Sequence, residues 1–120
     1  MSSLEIKDGA LVITSGGQQL TLREQPENGT MNISVEGDIT SEAALCFSDE
    51  LLAAVTVSNG IVLDLSGVGF ISNAGFKALL NTQKAVDGIK GHSLSLRGIS
   101  PALMSSFEEI GFDGLFNIVQ

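Results

Sequence analysis

At 120 residues and 43% apolar content, the chain fits one domain with one core and is not a disordered segment. Its formal charge of −8, from 14 acidic and 6 basic residues, removes the basic surplus that nucleic-acid binding needs, and an anionic membrane would repel it. The apolar runs fall far short of the roughly 20 residues that span a bilayer, the start Met1–Asp8 lacks the pattern of a signal peptide, and Cys46 is the sole cysteine, so the expected compartment is reducing and cytoplasmic.

From the N-terminus, Leu4-Glu5-Ile6 alternates and runs into Lys7-Asp8-Gly9, a hairpin turn. Ala10–Thr14 is a second strand closed by Ser15-Gly16-Gly17, and Gln18–Arg23 a third, with Leu20 and Leu22 on one face. Pro26-Glu27-Asn28-Gly29 breaks the chain before Thr30–Glu36, whose Met31, Ile33 and Val35 share a side. The period then changes. Ala44, Phe47, Leu51 and Val55 mark one helical face over Ser41–Val55, with Thr40 or Ser41 as its cap. Asn59-Gly60 reads as a turn. Ile61–Leu65 is nearly continuous in apolar character, the pattern of a strand covered on both faces.

A second helix is predicted from Asn73, with Phe76, Leu79, Leu80, Gln83 and Val86 on its face and Gly88 at its exit. Ser93–Arg97 is another strand. Ser100-Pro101 is a cap followed by proline at the first helical position, opening a third helix with Leu103, Phe107 and Ile110 inward and Gly111 as its stop. Leu115–Val119 is a short final element. Antiparallel strands followed by helix–strand alternation predict an α/β fold: a mixed sheet packed against amphipathic helices, its later strands joined by right-handed crossovers.

The stretch that carries function is Ile61–Leu80, IVLDLSGVGFISNAGFKALL. A buried strand ends at Asp64-Leu65, a glycine-containing loop comes next with Phe70 and Ile71 as apolar anchors, and a helix starts at Ser72-Asn73-Ala74-Gly75. The amides of that first turn and the positive end of the helix dipole favour a phosphate or a partner's carboxylate.

This stretch resembles the signature of STAS domains, the fold of bacterial anti-sigma factor antagonists. Val62, Leu63, Asp64, Leu65, Ser66, Val68, Phe70 and Ile71 match its strand and loop, and Ser72, Ala74, Gly75 and Phe76 match the segment that opens its helix. Upstream, Glu36-Gly37-Asp38-Ile39-Thr40 is similar to the family's turn before the first helix. Downstream, Phe107–Phe116 is similar to its closing segment. The resemblance covers residues 18–120 and leaves 1–17 as an N-terminal β extension of the same domain, covering a sheet edge or adding a binding surface.

The resemblance implies a regulatory module that docks on a protein partner, a kinase-type anti-sigma factor or related regulator, and takes part in partner switching. Asp38, Ser72, Asn73, Ala74, Gly75 and Phe76 are the implied partner-binding residues. In the family the second residue of the loop quartet is usually a Ser or Thr that the partner kinase phosphorylates. Here that position is Asn73, which has no hydroxyl and lacks a phosphate's charge of about −1.5 to −2. The neighbouring Ser72 is the hydroxyl that could substitute. The alternative implied by the resemblance is a non-catalytic STAS subunit that braces a lipid-transport ATPase complex of the bacterial envelope.

Each of these residues also has a purely structural reading. Ser72 and Asn73 are strong N-cap types, Gly75 allows close helix–strand packing, and Asp38 ends a strand and caps a helix. Asp64 reads as structural, His92 as a surface residue and Cys46 as a small, partly buried filler. Catalysis needs a nucleophile with its base, paired carboxylates or metal ligands at workable spacing. With one His, one Cys and no phosphate-cradling glycine loop, the chain offers none of these, so it is expected to be no enzyme and to carry no metal or cofactor.

Overall fold

The computed structural model describes residues 2–119, and among these the chain forms a seven-stranded sheet whose strands lie in the order in which they occur in the sequence. The elements are β1 (Ser2–Lys7), β2 (Ala10–Ser15), β3 (Gln18–Glu27), β4 (Thr30–Glu36), α1 (Ala44–Val57), β5 (Gly60–Gly67), α2 (Asn73–Asp87), β6 (Ser93–Arg97), α3 (Pro101–Glu109) and β7 (Asn117–Val119). β1 to β4 form an antiparallel meander, and β4 to β7 run parallel. The expected mixed α/β architecture is therefore the observed one.

Local chemistry builds the meander. Its turns are Asp8-Gly9, Gly16-Gly17 and Asn28-Gly29, and both residues of each have positive φ, from +52° to +85°. This is the type I′ geometry whose twist matches that of the flanking strands. Pro26 does not break the chain as expected, because β3 continues through it to Glu27. The register of β3 with β2 ends at Leu22, so Pro26, paired with Met31 of β4, leaves no ladder bond unmade on its other side.

The helices cover one face of the sheet. Ile33, Val35, Ile61, Leu63, Leu65, Leu94 and Leu96 point into that layer and are buried, together with Phe47, Leu51, Leu79 and Phe107 from the helices. The opposite face carries Thr21, Arg23, Ser34, Glu36, Asp64 and Arg97. This corrects the expectation that β5 is covered on both faces: its burial alternates, with Val62 and Asp64 only partly buried. An apolar residue at position 62 is compatible with half-exposure, and that residue alone made the strand read as continuous.

Further boundaries move. α1 starts at Ala44 after a turn over 41–43, and Thr40 Oγ1 accepts the Ala43 N–H at 3.3 Å, so Thr40 caps this turn and not the helix proper. Gly60 is already in β5, its position fixed by the Asn59 N–H bond to Gly29 O at 2.8 Å. In α3 Ser100 accepts the Leu103 N–H at 3.2 Å, as its sequence predicts. Ile110, expected inside, is 43% exposed. It is the last residue before Gly111 (φ +75°), and the Phe112 N–H to Phe107 O and Gly111 N–H to Glu108 O bonds close a Schellman motif there. His92 is partly buried, with Nδ1 enclosed and without a hydrogen-bond partner. Among the described residues no helix is long and apolar enough to cross a membrane.

One carboxyl pair escapes any sequence pattern. Glu24 of β3 shares the helix-side row with Leu22 and hydrogen-bonds Glu50 of α1. Partial burial first, then that hydrogen bond and the like charge, push its carboxyl up to about 7. A carboxyl raised in the folded state binds its proton more tightly there than in the unfolded chain. Its stabilising contribution is therefore complete below about 4.5 and lost as pH rises through about 7. Because solvent screens the pair, the effect is about 1 kcal/mol. Glu24→Gln is expected to raise stability at pH 8 by that amount and to flatten urea-melt stability across this window. Equal pH profiles for the two proteins would refute the assignment.

Candidate functional site

The site is built where the β4–α1 turn meets the β5–α2 loop. β5 carries one extra residue there: Ser34 pairs with Asp64, but Glu36 pairs with Gly67. Such a bulge turns the strand and re-aims the loop that leaves it. Past the bulge the two loops stay joined by backbone bonds. Gly37 N–H donates to Gly67 O at 3.0 Å, Ile39 N–H to Phe70 O at 2.9 Å, and Ser72 N–H to Ile39 O at 2.8 Å. Ile39 and Ile71 form a parallel bridge and are both buried. The loops thus form a platform tied to the core at two points, from which α2 departs.

Ser72 is the N-cap of α2. Its hydroxyl accepts the Gly75 N–H at 3.0 Å, its carbonyl accepts the Phe76 N–H at 2.9 Å, and its side chain is buried. Asn73, the first helical residue, is exposed, and Ala74 is partly exposed. Gly75 and Phe76 turn inward. A Cβ on Gly75 would stand 2.8 Å from the γ2 carbons of both Ile39 and Ile71, so the helix can approach the platform only without a side chain there. Phe76 packs edge-on against Phe107, with ring centroids 5.0 Å apart, and against Phe112 at 6.0 Å. Asp38 is exposed on the neighbouring turn, its carboxylate beside Gly69. Of the residues singled out from sequence, Asp38, Asn73 and Ala74 therefore present surface, whereas Ser72, Gly75 and Phe76 hold that surface in place.

Phe70 corrects the sequence reading. Ile71 is buried, but Phe70 is 52% exposed on the same loop. Successive side chains of an extended segment point to opposite sides, so both could not be anchors. That alternation was the signal available to find it. Two shallow grooves flank α2. One, of about 260 Å³, is lined by Asn73, Phe76, Lys77, Leu80, Ile110 and Phe112. The other, of about 250 Å³, lies against α1 and includes Leu45, Ala74 and Asn81. Lys77 borders both.

Asp64 lies on the uncovered sheet face. The Ser66 N–H donates to its Oδ1 at 3.0 Å and is the main reason its carboxyl is held below the usual range; Arg97 on β6 acts in the same direction against partial burial. It organises the bulge. Among the described residues no three His, Cys, Asp or Glu side chains are grouped to hold a metal ion.

Residues 21–120 match the family described as "Mlab, STAS domain". The chain belongs to the STAS domain family. Several solved structures share its fold. An anti-sigma factor antagonist from Mycobacterium paratuberculosis is 24% identical, with a TM-score of 0.73 over 82% of this chain and 84% of that one. An anti-sigma factor antagonist (STAS) domain protein from Planctomyces limnophilus is 17% identical, with a TM-score of 0.72 over 82% and 88%. A sulfate transporter family protein from Wolinella succinogenes is 21% identical, with a TM-score of 0.63 over 78% and 79%. At these identities the likeness is one of fold. No curated protein sequence matches the chain. β1 and β2 precede the matched region, and they join the STAS sheet through β3.

Proposed function

We propose that this STAS domain is a non-catalytic protein-docking module whose complex is not dissolved by phosphorylation of the chain itself. Its docking surface is the exposed set Asp38, Phe70, Asn73 and Ala74 with the grooves beside α2. The observation that carries this reading is the state of the two adjacent switch positions. Asn73 is exposed but has no hydroxyl, and Ser72 has a hydroxyl but is buried and engaged as the helix cap. A kinase would have to unravel the first turn of α2 to reach it. The partner class that the shared fold supports is a kinase-type anti-sigma factor, with the signal acting on the partner. The setting is a bacterial cytoplasm, in keeping with the lone cysteine.

The closed switch also suits a second reading, in which the domain permanently braces the ATPase of a lipid-transport complex. Tagged capture from the source cell separates them: recovery of a small ATP-binding kinase supports the first and recovery of transporter subunits the second. Incubation of the native chain with the cognate kinase and ATP is expected to leave residues 72 and 73 unmodified, while Asn73→Ser supplies an exposed hydroxyl at the site. Stable phosphate on the native chain at either position would overturn the reading. Asn73→Glu is expected to weaken partner capture by about tenfold or more while the helix stays formed, because an acidic group is tolerated at a helix N-terminus but is costly when desolvated in an interface.

A further inference from the structure

We infer that β1 is a self-association edge, on which a second copy of this chain adds antiparallel to make one continuous sheet. β1 is the outermost strand on its side of the sheet and is six residues long, against three for β7 at the other edge. It contains no proline, and each of its residues pairs with β2 in unbroken register. Such an edge offers a full row of backbone donors and acceptors for another strand.

The side chains on β1 are unusual for an edge left to water. Leu4 and Ile6 stand opposite Ile13 and Leu11 on the helix-side face, yet they are 56% and 73% exposed while Ile13 is fully buried. The apolar layer thus runs past the helices and stops at the edge uncovered. Antiparallel addition of a second copy about a twofold axis normal to the sheet keeps both helix layers on one side. With pairing centred on Ile6, the two Ile6 side chains meet, and each Leu4 lies diagonally beside the other copy's Ile6.

Charge fixes the register. Glu5 and Lys7 occupy the other face of β1 and are exposed. Charged residues on an edge usually repel a partner strand. Here they are one acid and one base two residues apart, so pairing centred on Ile6 sets each Glu5 directly opposite the other copy's Lys7. Centring on Glu5 would instead set that carboxylate against its own copy, an unfavourable like-charge pair. Ile6 lies on the twofold axis and meets itself. The edge lies far across the sheet from the β5–α2 loop, so the docking surfaces of both copies remain open, and the association does not depend on what they bind.

The test is sedimentation velocity on the full chain over a wide concentration range. The expected result is a weak, concentration-dependent dimer, since edge pairing alone gives a small interface. Ile6→Lys is expected to abolish it, because it places like charges on the twofold axis. Glu5→Lys is expected to weaken it by about tenfold through two like-charge pairs, and Glu5→Lys combined with Lys7→Glu to restore it. Circular dichroism checks that each variant is folded, and the charge-swap series decides the matter should Ile6→Lys fail that check. A chain that stays monomeric throughout, or a dimer indifferent to Ile6→Lys, overturns the proposal; failure of the double variant to recover overturns the register.

Discussion

Phe107→Ala is expected to cost about 3–5 kcal/mol of stability and to lower the melting temperature by roughly 10–20 °C. Phe107 has no exposed surface. Its ring meets Phe76 at 5.0 Å and Phe116 at 6.0 Å, both edge-on, and Phe112 closes the group at 6.0 Å from Phe76 and 6.1 Å from Phe116. These rings join α2, α3 and the segment leading to β7. Truncation removes the transfer free energy of the ring and leaves a void that rigid neighbours cannot fill, and it also removes edge-to-face contacts worth about 0.5–1.5 kcal/mol each. The groove beside Asn73 is lined by Phe76 and Phe112, so docking should weaken with it. Urea denaturation and thermal melting provide the measurement. A loss below about 1 kcal/mol would show that the cluster is slack and that α3 is held by other contacts.

Gly75→Val is the second large effect, at about 3 kcal/mol, and it bears on the site more directly. A side chain at this position starts 2.8 Å from two isoleucine γ2 carbons and 3.3 Å from Ile39 O. Ile39 and Ile71 are themselves packed, so neither has room to withdraw. A glycine inside a helix ordinarily costs about 1 kcal/mol relative to alanine, which makes its presence in the first turn of α2 a sign of close approach. The substitution must push α2 off the platform, strain the Ser72 N–H bond to Ile39 O and tilt Asn73. Amide chemical-shift changes concentrated in residues 37–40 and 70–76, together with weakened partner capture, are the expected readout. A valine variant as stable as the native chain, with shifts unchanged there, would remove the argument that Gly75 sets the helix position.

Much of the fold was legible because its signals are local. The Asp8-Gly9 and Asn28-Gly29 turns announce themselves, since few other residue pairs accept two positive φ angles. Ser100-Pro101 and Gly111 mark the ends of α3 for similarly local reasons. Alternation placed the faces of β3 and β4, and the spacing of Phe47, Leu51 and Val55 placed the buried face of α1. The site was legible as a segment: the loop before α2 and the turn at Asp38 do lie together. Its division into surface and support was not. Ser72 and Asn73 are equally good caps in sequence, and only the backbone path into α2 decided which of them is buried and which faces solvent.

What the sequence by itself determined is the order and type of elements, the family signature over Val62–Phe76 and the absence of a hydroxyl at position 73. Each depends on side-chain chemistry or on neighbours within a few residues. The tertiary structure alone decided which sheet face the helices cover, the bulge in β5, the exposure of Phe70 and Ile110, and the meeting of Glu24 with Glu50. These depend on strands and helices distant in sequence arriving at one place. A pattern of apolar residues says that a side chain wants burial, but whether anything stands above it is settled by where the helices run: over Leu63 and Leu96, and not over Leu4 and Ile6.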